Sequence, residues 1–337
     1  MTRISIVPRV HGVGGMVSFR DKLTAGLQKR GIQVSDDPDD DCDALLVIAG
    51  TRDVGQLSRA RKRGVRVVHR LDGINWLHRK HRTPLRLSLT SEMKNLLLAF
   101  IRRFYADRVV YQSEFIRRWW EGWYGRTRVP NRVIYNGVDL ERYSPSGPGE
   151  QSKDRVRIMV VEGSLTQGHE VGLSWAVRLA EKLKEIQPLP VELVVAAEVA
   201  ESQKEHWKTH SRVLLNFLGI VPAERISELD RSAHFYYSAE INPPCPNSVI
   251  EAMACGLPVA GFEMGSLSEL VTPEAGTVVP YRGDPWKLET PDIAGLAAAA
   301  TQMLTDLPCY RNGARARAES AFGLDAMVDK YLDVLLG

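Results

Sequence analysis

The chain has 337 residues, of which 44% are hydrophobic and 25% charged, and its formal net charge is +3. This composition excludes a disordered or fibrous protein, and the length exceeds what one hydrophobic core normally serves, so we expect two domains. The sequence contains no run of about 18 apolar residues, and its start does not resemble a signal peptide, so a cytoplasmic protein is predicted.

Charge is distributed unevenly along the chain. Residues 1–150 contain 27 Lys and Arg against 16 Asp and Glu, whereas the remaining residues contain 17 against 25. The basic half could attract nucleic acid, anionic lipid or a phosphorylated acceptor, or could be an ordinary solvated surface. The cysteines show neither CxxC pairing nor zinc spacing, which indicates a reducing compartment and no structural zinc; they are Cys42, Cys245, Cys255 and Cys309.

The first half of the chain alternates predicted strands and helices, which is typical of a parallel sheet. The predicted strands are 3–7, 44–49, 65–71 and 108–112, and the predicted helices are 16–30, 55–63, 85–105 and one that follows Tyr111-Gln112-Ser113.

A glycine loop, HGVGG at residues 11–15, separates the first strand from the first helix. Its glycines would let the backbone approach a ligand, and the helix start would present amide groups to an anion. The loop lacks the GxGxxG spacing of a dinucleotide site, and Asp36 and Asp37 belong to an acidic run that we interpret as a solvated loop.

The strand 65–71 ends in Arg70-Leu71-Asp72-Gly73. Ligands of open parallel sheets bind outside the carboxyl ends of the strands, so Asp72 is a candidate to contact a reacting partner, with His69 behind it. The alternative interpretation is that Asp72 is a turn residue before Gly73.

Three tryptophans lie beside arginines in the segment RRWWEGWY, residues 117–124. Such a cluster could lie at a membrane interface or stack on nucleobases. Tryptophans at helical spacing are more often core residues, and we favour that interpretation.

After a predicted linker at 144–153, the second half again alternates strands and helices. The predicted strands are 156–161, 191–197, 213–218, 235–238 and 257–260. One predicted helix follows the first of these strands and ends near residue 186, and the others span 201–210, 293–304 and 327–336 or include 226–230.

The most informative stretch is PPCPNSVIEAMACGLPV, residues 243–259. Its prolines prevent a helix before Asn247 or Ser248, which are both good N-caps, and Gly256 should end the helix. Glu251 is the acid of an otherwise apolar helix and needs a partner, for which a ribose diol is suitable. The helix start would face a diphosphate. The alternative is a core acid that caps a neighbouring loop.

This stretch resembles the C-terminal signature of the retaining GT-B glycosyltransferases of family 4, which is Glu, seven residues, then Glu-Ala-Met-Ala-x-Gly-x-Pro-Val. In that family the second Glu holds the donor ribose and the first contacts the donor sugar. Glu251 matches the second, but Pro243 stands at the first, and the nearest acid is Glu240. Residues 133–139 and 262–271 resemble two further family segments.

The resemblance implies a set of donor-binding residues. The family usually has Arg and Lys where this chain has Ser164 and His169, and the loss of both would weaken diphosphate binding by several kcal/mol if nothing replaced them. Replacements could come from the amides of residues 163–167, from the helix start at Ser248 or from Arg9. The other donor-binding candidates are Gly14, Gly15, Gly163 and Asn247, and the less certain ones are His11, Gly265 and Ser266.

The resemblance further implies an α/β protein of the GT-B class, with two Rossmann-like domains, 1–147 and 148–320, whose parallel sheets face a central cleft. A C-terminal helix at 321–337 would cross back to the first domain.

The implied activity is the transfer of a sugar from an NDP-sugar to an acceptor hydroxyl with retention, and Asp72 would be the catalytic contact. We expect no metal or other cofactor and no nucleic acid partner. The acceptor would be a glycan, a lipid-linked compound or a small molecule, met in the cytoplasm or peripherally at the inner membrane face. The alternatives are a catalytically weakened nucleotide-binding or scaffold protein and an NDP-sugar epimerase or hydrolase.

Overall fold

The computed structural model describes residues 2–10, 12, 14–80, 84–166 and 168–337. Two residues of the predicted donor site, His11 and Gln167, lie outside the described residues. The chain divides into two compact units: unit 1 comprises Met1–Gly137 and Leu324–Gly337, and unit 2 comprises Val138–Gly323.

The described strands of both units have three to nine residues, and their pairings are parallel. They are β1 (Arg3–Val7), β2 (Gln33–Ser35), β3 (Ala44–Ile48), β4 (Arg66–Leu71), β5 (Arg108–Tyr111), β6 (Asn131–Val133), β7 (Val156–Ser164), β8 (Val191–Glu198), β9 (Leu214–Phe217), β10 (Phe235–Tyr237), β11 (Val259–Phe262) and β12 (Gly276–Val279).

The α-helices connect these strands or follow them. They are α1 (Gly15–Lys29), α2 (Val54–Lys62), α3 (Leu85–Phe104), α4 (Glu114–Tyr124), α5 (Glu170–Ile186), α6 (Glu201–His210), α7 (Ala223–Ser232), α8 (Asn247–Ala254), α9 (Leu267–Leu270), α10 (Ile293–Thr305), α11 (Leu307–Ala321) and α12 (Leu324–Leu336).

The sheet of unit 1 has the strand order β2-β1-β3-β4-β5-β6. The chain runs from β1 to one neighbour and then to the other, so the switch point of the sheet lies beside β1, where the loop to α1 leaves the sheet. Apolar side chains of β1, β3 and β4 pack on α1 and α12, while the opposite face packs on α2 and Ile101 of α3. Unit 1 is therefore a Rossmann-like three-layer structure.

The C-terminal helix α12 packs on α1 within unit 1. Gly26 of α1 lies so close to Val328 that a β-carbon at residue 26 would clash with the valine side chain. Arg30 donates hydrogen bonds to Asp325 and Asp329 at 3.1 and 2.9 Å. The sheet of unit 1 is therefore covered in part by the last residues of the chain.

The sheet of unit 2 has the strand order β12-β11-β10-β7-β8-β9. Its switch point lies between β7 and β10, because the chain leaves β7 towards β8 and β9 and then returns on the other side. Residues 144–153 lie in this unit, where Arg231 of α7 donates hydrogen bonds to the carbonyl oxygens of Ser144 and Pro148. The loops after β7 and β10 thus flank the position at which parallel sheets bind ligands.

The structure corrects the predicted elements in several places. The sequence pattern does not predict β2, β6, β12, α9 or α11. These strands and α9 have only three or four residues each, and α11 follows α10 almost directly. β7 runs to Ser164 instead of ending at Val161, and it reaches that residue through an irregular register against β8. Gly163 and Ser164 therefore belong to a strand and not to the turn before α5.

The tryptophans of α4 divide into two groups. Trp119 and Trp120 are 6% and 0% exposed, which confirms the core interpretation for both, and the indole of Trp120 donates to the Asp72 carbonyl at 2.8 Å. Trp123 is 40% exposed. The hypothesis that all three tryptophans contact a membrane or nucleobases is therefore wrong. Among the residues that the structure describes, every helix is too short or too polar to cross a lipid bilayer.

We expect Gly26→Ala to lower the free energy of unfolding by about 1–3 kcal/mol, because the added methyl group overpacks the contact with Val328. Urea denaturation followed by circular dichroism measures this change. Gly122→Ala in α4 is the matched control, since its added carbon would meet no atom within 4 Å. Equal stability of Gly26→Ala and the wild type would contradict the packing of α12 on α1.

Candidate functional site

Asp72 lies directly after β4 in unit 1, and its carboxylate is oriented by two neighbours. It accepts a hydrogen bond from Arg70 at 2.5 Å and another from the side-chain amide of Gln112. Arg70 also donates to Asn136 at 2.9 Å, and its guanidinium lies 3.7 Å from the centre of the Phe19 ring. Because Arg70 is buried while the Asp72 side chain is 22% exposed, the network presents a fixed carboxylate at the edge of the sheet.

His69 is fully buried one residue before Arg70. Its Nε2 contacts the carbonyl oxygen of Ala49, so this nitrogen carries the proton, and its Nδ1 has no hydrogen-bond partner among the described residues. Burial lowers the pKa of His69 to about 4. The ring is therefore neutral near pH 7 and serves the core of unit 1.

Gly14 and Gly15, the described residues next to α1, lie near the switch point of unit 1. Gly14 has a φ of 143°, a conformation that favours glycine, and α1 begins at Gly15. Arg9 makes an ion pair with Asp36. Arg9 is predicted to replace the family's Arg or Lys in binding the donor diphosphate. For that role its ion pair with Asp36 would have to break.

In unit 2, the residues predicted to bind the donor diphosphate, 163–169, begin within β7 instead of forming a turn after it. The Ser164 hydroxyl lies 2.8 Å from the hydroxyl of Thr166, and the amide of Gly168 donates to the Glu170 carboxylate at 2.6 Å. His169 immediately precedes α5 and makes no side-chain cap. These bonds fix the segment locally without a basic side chain of the family's Arg and Lys type.

Helix α8 begins at Asn247, as predicted, but the capping prediction is wrong. Pro246 precedes the helix, so Asn247 and Ser248 belong to its first turn, and no side chain caps it. The Ser248 hydroxyl instead lies 2.9 Å from that of Tyr236, which in turn lies 2.9 Å from the Val161 carbonyl oxygen. These contacts tie the start of α8 to β10 and β7.

Glu251 lies in α8 with 9% of its surface exposed. Its neighbour Asp230 is fully buried. Burial and the nearby charge of Glu251 raise the pKa of Asp230 well above its usual range. Burial and the same charge also raise the pKa of the Tyr143 hydroxyl. Glu251 is therefore a confined carboxylate that retains a small exposed area, which suits contact with hydroxyl groups of a ligand.

Two further acids, Glu162 and Glu240, flank the switch point of unit 2. Burial and the negative charge of Glu240 raise the pKa of Glu162 well above its usual range, and burial raises the pKa of Glu240 to about 7. The pair therefore holds a proton near neutral pH. A carboxyl group in this state can donate a hydrogen bond as well as accept one.

Several buried polar atoms beside this pair have no hydrogen-bond partner among the described residues. They are Glu162 Oε1, Ser238 Oγ, Asn242 Nδ2 and Ser266 Oγ. Buried polar groups of native proteins are nearly always satisfied, so this edge of the sheet is equipped for a polar ligand or for water. The sequence analysis missed Glu162, Ser238 and Asn242. The available signal was their position: Glu162 directly follows a predicted strand, Ser238 ends another, and Asn242 lies in the loop after it.

Gly265 and Ser266 hold the loop after β10 in place. The Ser266 amide donates to the Pro243 carbonyl at 2.8 Å, and Gly265, with a φ of 60°, leaves no space for a β-carbon beside Pro243. The donor-binding role predicted for Ser266 therefore falls to its hydroxyl, because a backbone carbonyl already accepts the hydrogen bond of its amide. The Ser266 hydroxyl remains available.

Within the described ranges, no three His, Cys, Asp or Glu side chains are grouped so as to hold a metal ion. A shallow depression of about 700 Å³ lies beside β2 in unit 1, lined in part by Arg3, Arg20, Gln28 and Asp36, and it includes none of the predicted site residues.

The sequence matches two family models that together cover more than half of the chain. Residues 156–306 match glycosyl transferases group 1, and residues 45–142 match glycosyltransferase family 4. The chain belongs to the group 1, family 4 glycosyltransferases. No curated protein sequence matches it.

Solved structures of glycosyltransferases resemble this glycosyltransferase over its full length. Sucrose-phosphate synthase from Thermosynechococcus elongatus has a TM-score of 0.74 at 16% identity, with 99% of this chain and 98% of the other covered. WaaG, involved in lipopolysaccharide biosynthesis, has a TM-score of 0.70 at 12% identity, with 99% and 100% covered. Anabaena HepE in complex with UDP and glucose has a TM-score of 0.67 at 17% identity, with 99% of each chain covered. The α/β fold with two parallel sheets is therefore confirmed as GT-B-like.

The neutral, buried His69 makes stability depend on pH. The unfolded chain binds a proton below about pH 6.5, whereas the folded protein resists protonation until about pH 4. The contribution of His69 to the free energy of unfolding should therefore fall by about 3 kcal/mol as the pH falls through this window. Urea denaturation of the wild type and of His69→Gln, at pH 7 and at pH 4.5, measures this contribution.

The variant should lose most of that pH dependence, since its amide stays neutral throughout. His210→Gln, which removes an exposed histidine of α6, is the matched control. An identical pH dependence in wild type and His69→Gln would contradict the assignment.

Proposed function

We propose that the protein transfers a sugar from a nucleotide-sugar donor to an acceptor hydroxyl with retention of the anomeric configuration. The observation that carries the proposal is the position of Glu251 on α8, in the sequence context EAMACGLPV, in a helix whose first turn contacts β10 and β7 beside the switch point of the unit 2 sheet. Membership of the glycosyltransferase family supports the reaction class.

Glu251 is proposed to bind the donor ribose. The two ribose hydroxyls would each donate a hydrogen bond to one carboxylate oxygen, and bonds to an ionised acceptor are about twice as strong as neutral ones. The first turn of α8 would direct backbone amides at the donor diphosphate, as helix starts commonly do with anions. Ser248, fixed by Tyr236, keeps that turn in place.

The donor sugar is proposed to contact Glu240 and Glu162 together with the buried polar side chains of Ser238 and Asn242. Glu240 would take the role of the acid that the family has at Pro243. The four residues provide both donors and acceptors, which matches the two-way hydrogen bonding of sugar hydroxyls.

Asp72 is proposed to contact the acceptor from unit 1, with its carboxylate held by Arg70 and Gln112. A fixed carboxylate can accept a hydrogen bond from a reacting hydroxyl without first reorganising. Gly14 and Gly15 would supply a close backbone approach for donor or acceptor groups. We assign no nucleophile.

The departing diphosphate is proposed to be stabilised by amides and the positive end of α8 rather than by a metal ion, so no cofactor is needed. The acceptor classes that fit are a glycan, a lipid-linked compound or a small molecule. We propose a cytoplasmic location for the reaction. Uridine nucleotides are the first donors to test, because HepE has been solved with UDP-glucose.

Isothermal titration with UDP and GDP tests the donor site. We expect Glu251→Gln to weaken nucleotide binding about 10- to 100-fold, the effect of losing one or two charged hydrogen bonds. Glu205→Gln on the exposed face of α6 is the matched control and should bind like the wild type. Thermal unfolding confirms that both variants fold. Equal affinity in Glu251→Gln and the wild type would refute the ribose assignment.

Retention and metal independence are tested together. The enzyme is incubated with UDP-glucose and a panel of glycan and lipid acceptors, with and without EDTA, and the product linkage is read by proton NMR. We expect an α-linked product in both conditions. A β-linked product would contradict retention, and loss of activity in EDTA that added divalent ions restore would contradict metal independence.

A second candidate is a nucleotide-sugar-binding protein that has lost transfer. The absence of basic side chains at Ser164 and His169, together with the engagement of Arg9 by Asp36, favours this alternative. Nucleotide binding without turnover for any acceptor would select it. Release of free sugar in the absence of acceptor would instead indicate a hydrolase.

A further inference from the structure

Helix α3 of unit 1 carries a continuous apolar stripe on its exposed surface. Its members recur every three or four residues, which places them on one side of the helix over about 29 Å. Their exposed fractions are Leu85 75%, Leu89 55%, Met93 69%, Leu96 61%, Phe100 43% and Phe104 58%. Together they expose on the order of 600 Å² of apolar surface, the upper end for a monomer, and such patches mark interaction sites.

The opposite side of α3 already attaches the helix to unit 1. Asn95 is buried and bonds with Asn75 through its side chain at 2.9 to 3.0 Å. Arg102 is buried and donates to the Tyr111 hydroxyl at 3.0 Å and to the Gly125 carbonyl at 2.7 Å. Ile101 lies in the core. The side of α3 that carries Asn95, Ile101 and Arg102 therefore faces unit 1, and the apolar stripe faces outward.

The surroundings of the stripe are basic. Residues 78–104 contain seven Lys and Arg and a single acid, Glu92. Arg86, Lys94 and Arg103 of α3 are exposed and form no ion pair with a described acid. Glu92 is neutralised by Arg79, which bonds it at 2.5 and 2.8 Å, and it also contacts Nε2 of His78 at 2.8 Å. The helix therefore combines one apolar side with positive charge along its length.

An apolar helix face could bind a second copy of the chain or a lipid surface, and the charges beside the stripe distinguish the two. Arg86 and Arg103 flank the stripe, so two copies paired through this face would bring Arg86 against Arg86 in the parallel arrangement and Arg86 against Arg103 in the antiparallel one. Like charges at a contact are unfavourable, whereas an anionic surface attracts them. A helix with an apolar side and Lys and Arg beside it is the pattern of segments that lie in the membrane interface.

We propose that α3 is a membrane-binding helix whose apolar stripe inserts into the headgroup region of a bilayer that contains anionic lipids. The three exposed basic residues would bind lipid headgroups while the leucines, Met93 and the phenylalanines reach the acyl boundary. Trp123 of α4 lies next to this surface, since Arg79 covers its ring at 4.3 Å while bonding Glu92 of α3. Exposed tryptophans are favoured at such interfaces. The proposal does not depend on the glycosyltransferase reaction.

Vesicle flotation of the full chain tests the proposal, with phosphatidylcholine vesicles and with vesicles that also contain phosphatidylglycerol. The wild type should float with the anionic vesicles, and added salt should weaken its binding. The variant Leu89→Gln/Met93→Gln/Leu96→Gln should bind at least about tenfold more weakly because it loses the inserted surface. The variant Arg86→Gln/Lys94→Gln/Arg103→Gln should bind roughly 100-fold more weakly because it loses three headgroup contacts.

The matched control is Leu189→Gln/Leu214→Gln/Ile220→Gln, which removes three exposed apolar side chains of unit 2. It should float like the wild type, and thermal unfolding verifies that all variants fold. Wild-type protein that stays unbound, or a Leu89/Met93/Leu96 variant that floats undiminished, would overturn the proposal. It would also be overturned if light scattering showed a dimer that the same variant dissociates and no vesicle binding, since a second copy would then cover the stripe.

Discussion

The loop between β10 and α8 is held between two glycines, and the candidate donor site depends on this constraint. Gly172 of α5 leaves no space for a β-carbon next to the carbonyl of Ala239, and Gly265 does the same next to Pro243. The loop therefore follows a path that larger residues at either position would block. This path brings Glu240 to the end of the central strands and lets α8 begin beside Tyr236.

The acids of unit 2 are confined by that same arrangement. Glu162, Glu240, Asp230 and Glu251 would all be ionised in water near pH 7, yet burial raises the pKa of the first three. Keeping such groups costs stability, and proteins usually retain them where a ligand or a reaction uses them. Glu251 is the one of the four that lies in a matched family context, which is why the proposed ribose contact is assigned to it.

In contrast to the confined acids of unit 2, the central ionisable groups of unit 1 are paired or kept neutral. Its central carboxylate, Asp72, is satisfied by Arg70 and Gln112, and its histidine at position 69 is kept neutral by burial. Its excess positive charge is carried largely at the surface, and part of it accompanies the apolar side of α3. The basic half of the sequence is thus explained in part by one helix, where apolar and basic residues occur together.

The sequence by itself determined the α/β alternation, the start of α8 and the place of Glu251, because these follow from local rules: apolar periodicity, the exclusion of helix by proline and a short contiguous motif. It could not determine that β7 continues to Ser164, that Pro243 accepts the Ser266 amide, or that Arg9 pairs with Asp36. Those contacts join residues that are distant in sequence or depend on pairing with another strand. The same reason applies to the stripe of α3: the sequence predicts a helix at 85–105, but only the tertiary structure decides which side of it faces the sheet, and Asn95 and Arg102 lie on that side.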